Sequence, residues 1–290
     1  MPATDTQESH ASIFFLAAFF LLVPVILLIW LATRSRPNPE GAFIRAVHKS
    51  SQPGDADVSH SLLQATFGKE ITVVTWAKRD GVKDYRGKIE TPAFKDTWVT
   101  IAPQVKKFCQ DFVRDHGSDK TQLTRRLEQR LGLPRDSGYE TFVEFSITPT
   151  DASQFFRPCI DPSPTSNSCQ PAFTPACTNW SNRPENCLPR TAQELQADLD
   201  VSGQPAQPQA AGKTASIRHR FWFLNTYYNR FALPKGYPPF PWTSLGYTFD
   251  WDTEPGSDDF VEFGESEFVV PPKVPMKFIA AVDTATYCVP

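Results

Sequence analysis

Residues Ile13 to Ala32 read IFFLAAFFLLVPVILLIWLA, twenty positions without a charge. At 1.5 Å rise per residue, a helix of that length matches the roughly 30 Å hydrocarbon core of a bilayer. A cleaved signal peptide requires a basic leader and a small-residue cleavage site, and residues 1–12 contain no Lys or Arg. The sequence therefore predicts a short tail (1–12), a retained transmembrane helix (13–32) and the membrane as one partner. Pro24 falls mid-span, where it frees a backbone carbonyl, and Trp30 falls at interface depth.

Two arguments set the orientation, and they oppose each other. Arg34, Arg36, Arg45 and Lys49 follow the span while only Asp5 and Glu8 precede it, which by the positive-inside rule favours a cytoplasmic C-terminal side. Against this stand six cysteines, four of them (Cys159, Cys169, Cys177, Cys187) spaced by ten, eight and ten residues. No histidine lies among them and the spacing fits no zinc site, so they read as disulfide loops of an oxidising compartment. Large domains translocate despite flanking charge, so the expectation is a single-pass protein with its C-terminal domain outside the cytoplasm, the periplasm for a bacterial chain. The alternative is a cytoplasmic domain with unrelated thiols.

Setting aside the first forty of 290 residues leaves about 250, enough for a sizeable core. The formal net charge of −3 lacks the clustered basic excess that phosphate neutralisation demands, which excludes a nucleic-acid partner. Residues 33–65 carry scattered proline among polar residues without sustained periodicity and read as a tether. Residues 66–290 read as one α+β domain. Ile71–Trp76, Thr97–Ile101, Thr141–Ile147, Leu245–Trp251, Glu267–Val270 and Lys277–Val282 have the β-branched, aromatic or alternating character of strands. The charged stretch Lys78–Lys88 reads as a solvated loop or hairpin tip.

An αα-hairpin is predicted between the second and third of these. Pro103 opens its first helix, with Val105, Phe108, Cys109, Phe112 and Val113 on one face and Gly117 as the stop. Asp119 caps the second, with Leu123, Leu127 and Leu131 as its stripe and Gly132 and Pro134 at its end. Residues 148–215 hold ten prolines in 68 positions, too many for regular structure, and form a proline- and cysteine-rich insert stapled by disulfides. Within it, Thr191–Glu194 has capping-box form. Ile217–Phe231 has helical four-three spacing.

Candidate sites are few. No nucleophile elbow, zinc helix, Walker loop or dinucleotide fingerprint is present, and no cofactor is called for. Glu265 and Glu267 lie on the same side of an extended chain and are the candidate acid/base pair of an enzyme reading. Asp250, Asp252 and Glu254 are candidate calcium ligands, although Pro255 stands where an EF-hand needs glycine, which favours a solvated turn. Arg125, Arg126 and Arg130 share the outer face of the second helix, a solvated basic face or a docking patch for an acidic partner. Twelve aromatic residues fall between Phe221 and Trp251, and most suit a core. Tyr237, Phe240 and Trp242, in a proline-rich loop, are the binding candidates.

The stretches FRPCIDP (Phe156–Pro162), PWTSLGYTFDW (Pro241–Trp251) and ESEFVV (Glu265–Val270) resemble a family of uncharacterised exported bacterial proteins. The likeness spans roughly Trp98 to Val270. It implies an envelope location and a Cys159–Cys169 bridge, and no catalytic chemistry. The additional Cys177 and Cys187 and the uncleaved anchor depart from a freely secreted pattern. The expected function is a membrane-anchored binding or assembly module with a protein partner, such as an accessory subunit of an envelope complex. The alternative is an envelope hydrolase or group transferase using the glutamate pair.

Overall fold

The computed structural model describes residues 39–50, 53–83, 85, 90–92, 95–161, 163–171, 219, 222–223, 226, 240–252 and 262–290. The chain divides into two compact units, Met1–Gly41 and Ala42–Pro290, and only Pro39–Gly41 of the first is described. The apolar stretch 13–32 lies outside the described residues, as do Cys177, Cys187, Tyr237, Glu254 and the Thr191–Glu194 capping box. Among the described residues no helix is long and apolar enough to cross a membrane.

The second unit is an α+β fold built on one antiparallel sheet. Its elements are α1 (Pro39–Ser50), β1 (Ile71–Ala77), α2 (Arg79–Val82), β2 (Glu90–Pro92), β3 (Thr97–Ile101), α3 (Ala102–His116) and α4 (Lys120–Arg130). There follow β4 (Thr141–Ile147), β5 (Tyr247–Phe249), β6 (Phe263–Val270), β7 (Pro275–Asp283) and α5 (Thr284–Tyr287). The strands are ordered β2-β7-β4-β1-β3-β6-β5. Consecutive residues of a strand face opposite sides, and both sides of this sheet are buried. Val74, Trp76 and Phe142 meet Val105 and Cys109 of α3, Leu123 and Leu127 of α4, and Tyr287 of α5. Val73, Phe145, Ile147, Phe268 and Val270 point the other way, onto Ala65 and Phe155 from irregular chain.

That second cover comes from two segments that satisfy each other's backbone. The amides of Leu62, Ala65 and Gly68 donate to the carbonyls of Asn167, Pro164 and Pro149. Arg157 lies beneath them, fully buried, with Nη2 donating to Leu63 O and, at 2.8 Å, to Ser166 O. Its guanidinium sits 4.5 Å from the Phe268 ring. Burial pulls its pKa down to about 10. The first part of the insert is thus a fixed layer of the core, and the Cys159–Cys169 disulfide closes it.

The αα-hairpin forms where its punctuation places it. Gly117 takes φ 87°, the left-handed region open to glycine, and the Asp119 carboxylate accepts from the Gln122 amide at 2.8 Å. Cys109, fully buried on α3, is bonded to Cys288 just after α5, which ties the last turn of chain to the helix layer.

Three regions depart from the sequence reading. The expected tether contains α1, because Phe43, Ala46 and Val47 at i, i+3, i+4 suffice to bury one face against Phe249 and Trp251. The charged stretch after β1 opens with the short helix α2, whose Val82 is buried. The run Leu245–Trp251 is regular strand only over Tyr247–Phe249, and its polar positions are buried as well as its apolar ones. Of the predicted helix 217–231, His219, Trp222, Phe223 and Thr226 are described and helical.

The Cys109–Cys288 bridge spans 179 residues and the Cys159–Cys169 bridge ten. By chain-entropy arithmetic the first constrains the unfolded chain by about 5 kcal/mol and the second by about 3. Replacing both Cys109 and Cys288 by serine is therefore expected to lower the urea midpoint more than replacing both Cys159 and Cys169, measured on the oxidised proteins by circular dichroism.

Candidate functional site

Helix α4 turns Leu123 and Leu127 to the sheet, which leaves Arg126 and Arg130 on its flank, one turn apart. These arginines do not form an open basic face. Their side chains are only 17% and 18% exposed, because β5 and β6 bring carboxylates up beneath them. Arg126 Nη1 and Nη2 donate to the two carboxylate oxygens of Asp250 at 3.0 and 2.7 Å, the two-pronged geometry that suits guanidinium best. Its Nε lies 3.2 Å from Asp252. Arg130 Nε donates to Glu265 Oε1 at 2.7 Å, while its Nη1 reaches Asp250 at 3.3 Å and the Phe263 carbonyl at 2.9 Å. Both guanidinium groups rest on Phe108, at 4.8 and 4.7 Å from the ring centre. Arg125 leaves this group and stacks over Trp251 at 5.4 Å.

Backbone joins the same elements. Thr248 Oγ1 donates to the Arg130 carbonyl and accepts from the Glu265 amide, both at 2.8 Å. Gly264 passes so close that a Cβ there would collide with the backbone oxygens of Thr248 and Arg130. The helix end and the β5–β6 pair are thereby one body.

This arrangement accounts for several candidate residues. Asp250 and Asp252 are occupied by Arg126, and among the described residues no group of three or more His, Cys, Asp or Glu is placed to hold a metal. Glu265 is completely buried and bound to Arg130. Burial raises its pKa, and the Arg130 charge opposes that rise without cancelling it. Glu267 lies on the same strand face, as the alternation requires, and is half-buried opposite Thr100 of β3. The two glutamates do not converge: Glu267 lines the cleft described next and Glu265 does not.

The cleft arises from a split in the sheet. Among the described residues β1 and β3 pair only at Val73↔Ile101 and Val74↔Thr100. Beyond that point β1 stays on β4 and β3 stays on β6, so the two strands part. The opening has a volume of ≈ 880 Å³ and ends against Leu131–Leu133, the exit of α4. Along one wall Trp76 stacks on Tyr139 and on Phe142, each at 5.7 Å; Trp76 and Phe142 are buried in the helix-layer core and back the half-buried Tyr139 ring. The other carries Trp98 edge-on to Trp242 at 5.9 Å, with Phe240 beside them. Lys78 and Asp80 stand at the β1 rim, Lys95 and Asp96 at the β3 rim.

Phe240 and Trp242 thus reach a shared cleft. Trp242 is 5% exposed and belongs to the wall's support more than to its surface. Sequence reasoning missed Tyr139, which sits in a loop without periodicity, and Trp76 and Trp98, which read as strand core. Their signal was one of composition only, a tryptophan in each of two neighbouring strands. No family model, curated protein or solved structure matches the chain.

Removing one member of a buried ion pair leaves the other charge unmatched. Arg126→Ala is expected to cost about 3 kcal/mol in denaturant unfolding. Lys107→Ala, which removes a pair whose lysine is 77% exposed, is expected to change stability by less than about 0.5 kcal/mol.

Proposed function

We propose that this protein is a single-pass, membrane-anchored binding module that holds its α+β domain outside the cytoplasm and docks a protein partner in the aromatic cleft between β1 and β3. The observation that carries the reading is the cleft itself. Aromatic rings contribute large, rigid contact area at little entropic cost, and the mixed charges at the rim suit a partner's polar border. The anchor is residues 13–32, on the grounds of length and the absence of charge.

The two disulfides favour the extracytoplasmic orientation over the one that the flanking arginines indicate. Both pairs are buried and one joins distant parts of the chain, which suits a structural role in an oxidising compartment rather than redox sensing. The alternative, an envelope enzyme working through Glu265 and Glu267, gains nothing from a Glu265 committed to Arg130.

Two measurements test this. A photo-crosslinking residue at Trp98 or Tyr139 is expected to capture a defined protein in intact membranes, and one at exposed Asp136 is expected to capture none. Equal capture from all three positions removes the cleft from the account. In cells lysed into alkylating reagent with denaturant, so that buried thiols are reached, Cys109, Cys159, Cys169 and Cys288 are expected to remain unmodified until a reductant is added. Immediate modification places the domain in the cytoplasm.

A further inference from the structure

The helix α1 is held by more than its apolar face. Phe43 meets Trp251 edge-on at 5.4 Å, with Ala46 and Val47 beside it. At the end of α1, Lys49 Nζ lies 2.6 Å from Asp57 Oδ1 and 4.0 Å from Glu262 Oε2. Asp57 belongs to a single 3₁₀ turn, Asp55–Asp57, where its Oδ2 also accepts from the Gly54 amide at 2.7 Å. Glu262 immediately precedes β6, and its backbone carbonyl accepts from the Asp250 amide at 2.9 Å. Asp57 and Glu262 are each 7% exposed, and both carboxyls face the Lys49 ammonium. Two buried carboxylates beside one ammonium leave a negative charge unmatched, which favours protonation of one of them.

We propose that Lys49, Asp57 and Glu262 form a proton-operated clasp that holds α1 on the β5–β6 edge while one of the two carboxyls is protonated and releases it when that proton is lost. With one proton present, the single ammonium matches the single carboxylate. Without it, two buried negative charges face one lysine that is itself 43% exposed. From β5, the Tyr247 hydroxyl donates to the Asp57 carbonyl at 2.8 Å. Burial, and then the charges of Glu262 and Asp57, hold that phenol above its ordinary value, so it stays neutral while the pair titrates.

The proton belongs to Glu262. Burial and the neighbouring Asp57 carboxyl lift its pKa from 4.5 to about 7, against the pull of Lys49. Burial pushes Asp57 up as well, but its interactions with Glu262, the Gly54 amide and Lys49 outweigh this and hold it below 3.8. For Glu262, whose folded value is raised, the contribution to α1 docking is complete below the ordinary carboxylate value and is lost as pH rises through about 7. For Asp57, whose folded value is lowered, it is present above the ordinary value and lost in stronger acid. The clasp therefore closes in mild acid and opens on the alkaline side of neutrality. Neither the orientation of the chain nor the occupant of the cleft enters this inference.

Hydrogen exchange of residues 42–50 in the full-length protein, corrected for intrinsic rates, reads the clasp directly. Protection is expected to fall about 30-fold between pH 5.5 and 8.5, since the lower pH lies about 1.5 units below the Glu262 value of about 7 and each unit is a factor of ten, while β1 and β4 amides stay protected. Glu262→Gln keeps a neutral side chain able to donate, and is expected to hold the acid-level protection at both pH values. Lys49→Met removes the charge that opposes Glu262 protonation and is expected to move the midpoint upward. Equal wild-type protection at the two pH values overturns the proposal, as does an undiminished pH dependence in Glu262→Gln or a midpoint that fails to rise in Lys49→Met.

Discussion

Two half-buried arginines facing two buried carboxylates set the terms for the rest of this domain. Arg126 and Arg130 are largely withdrawn from water because Asp250 and Glu265 meet them, and those carboxylates, one directly after β5 and one within β6, occupy buried positions that an ordinary core would fill with apolar side chains. Such an arrangement adds little net stability over well-packed apolar residues. Its members cannot be removed one at a time without stranding a charge. The consequence is specificity of placement: α4 has one position against β5 and β6, fixed by directional bonds and by the close pass of Gly264 under Thr248 and Arg130.

That placement propagates to both faces of the β5–β6 pair. On the helix side it sets the exit of α4, Leu131–Leu133, which closes one end of the cleft between β1 and β3. On the opposite side, the same pair of strands is continuous with Phe249 and Trp251, which receive α1, and with Glu262, which receives Lys49 through Asp57. A hairpin only three residues long on its shorter strand is thus the junction of the helix layer, the cleft and α1. On the opposite sheet face, beside Val82 of α2, segments from 62–68 and 149–167 satisfy one another's backbone over the buried Arg157.

Much of this architecture was legible in the sequence. The αα-hairpin was readable because Asp119, Gly117 and Gly132 mark its ends chemically, and five of the strands because their β-branched runs are bounded by turns. The helix α1 was not, since its apolar residues all fall within Ala42–Val47, a stretch too short to show a period that separates it from a tether. The destination of Arg126 and Arg130 was hidden because their partners lie 120 to 135 residues away, and helical position alone does not distinguish solvent from a distant acid. A signal existed nonetheless: a carboxylate at Asp250, between the aromatic residues Phe249 and Trp251, and one at Glu265, two positions along from Phe263, call for a cation once those runs are buried. Cys109 was recognisable as a buried thiol or half-cystine, but six cysteines admit fifteen pairings and only the fold selects Cys288.

A double-mutant cycle on Arg130 and Glu265 tests the central claim most directly. Arg130→Gln, Glu265→Gln and the combined variant would be compared with the wild type by equilibrium denaturation at neutral pH, with both disulfides intact. If these charges hold each other in the interior, each single change costs more than the pair together, with a coupling of at least about 1.5 kcal/mol. Simple additivity, with a coupling within about 0.3 kcal/mol of zero, would show that the arginines of α4 answer to solvent and not to the strands beneath them.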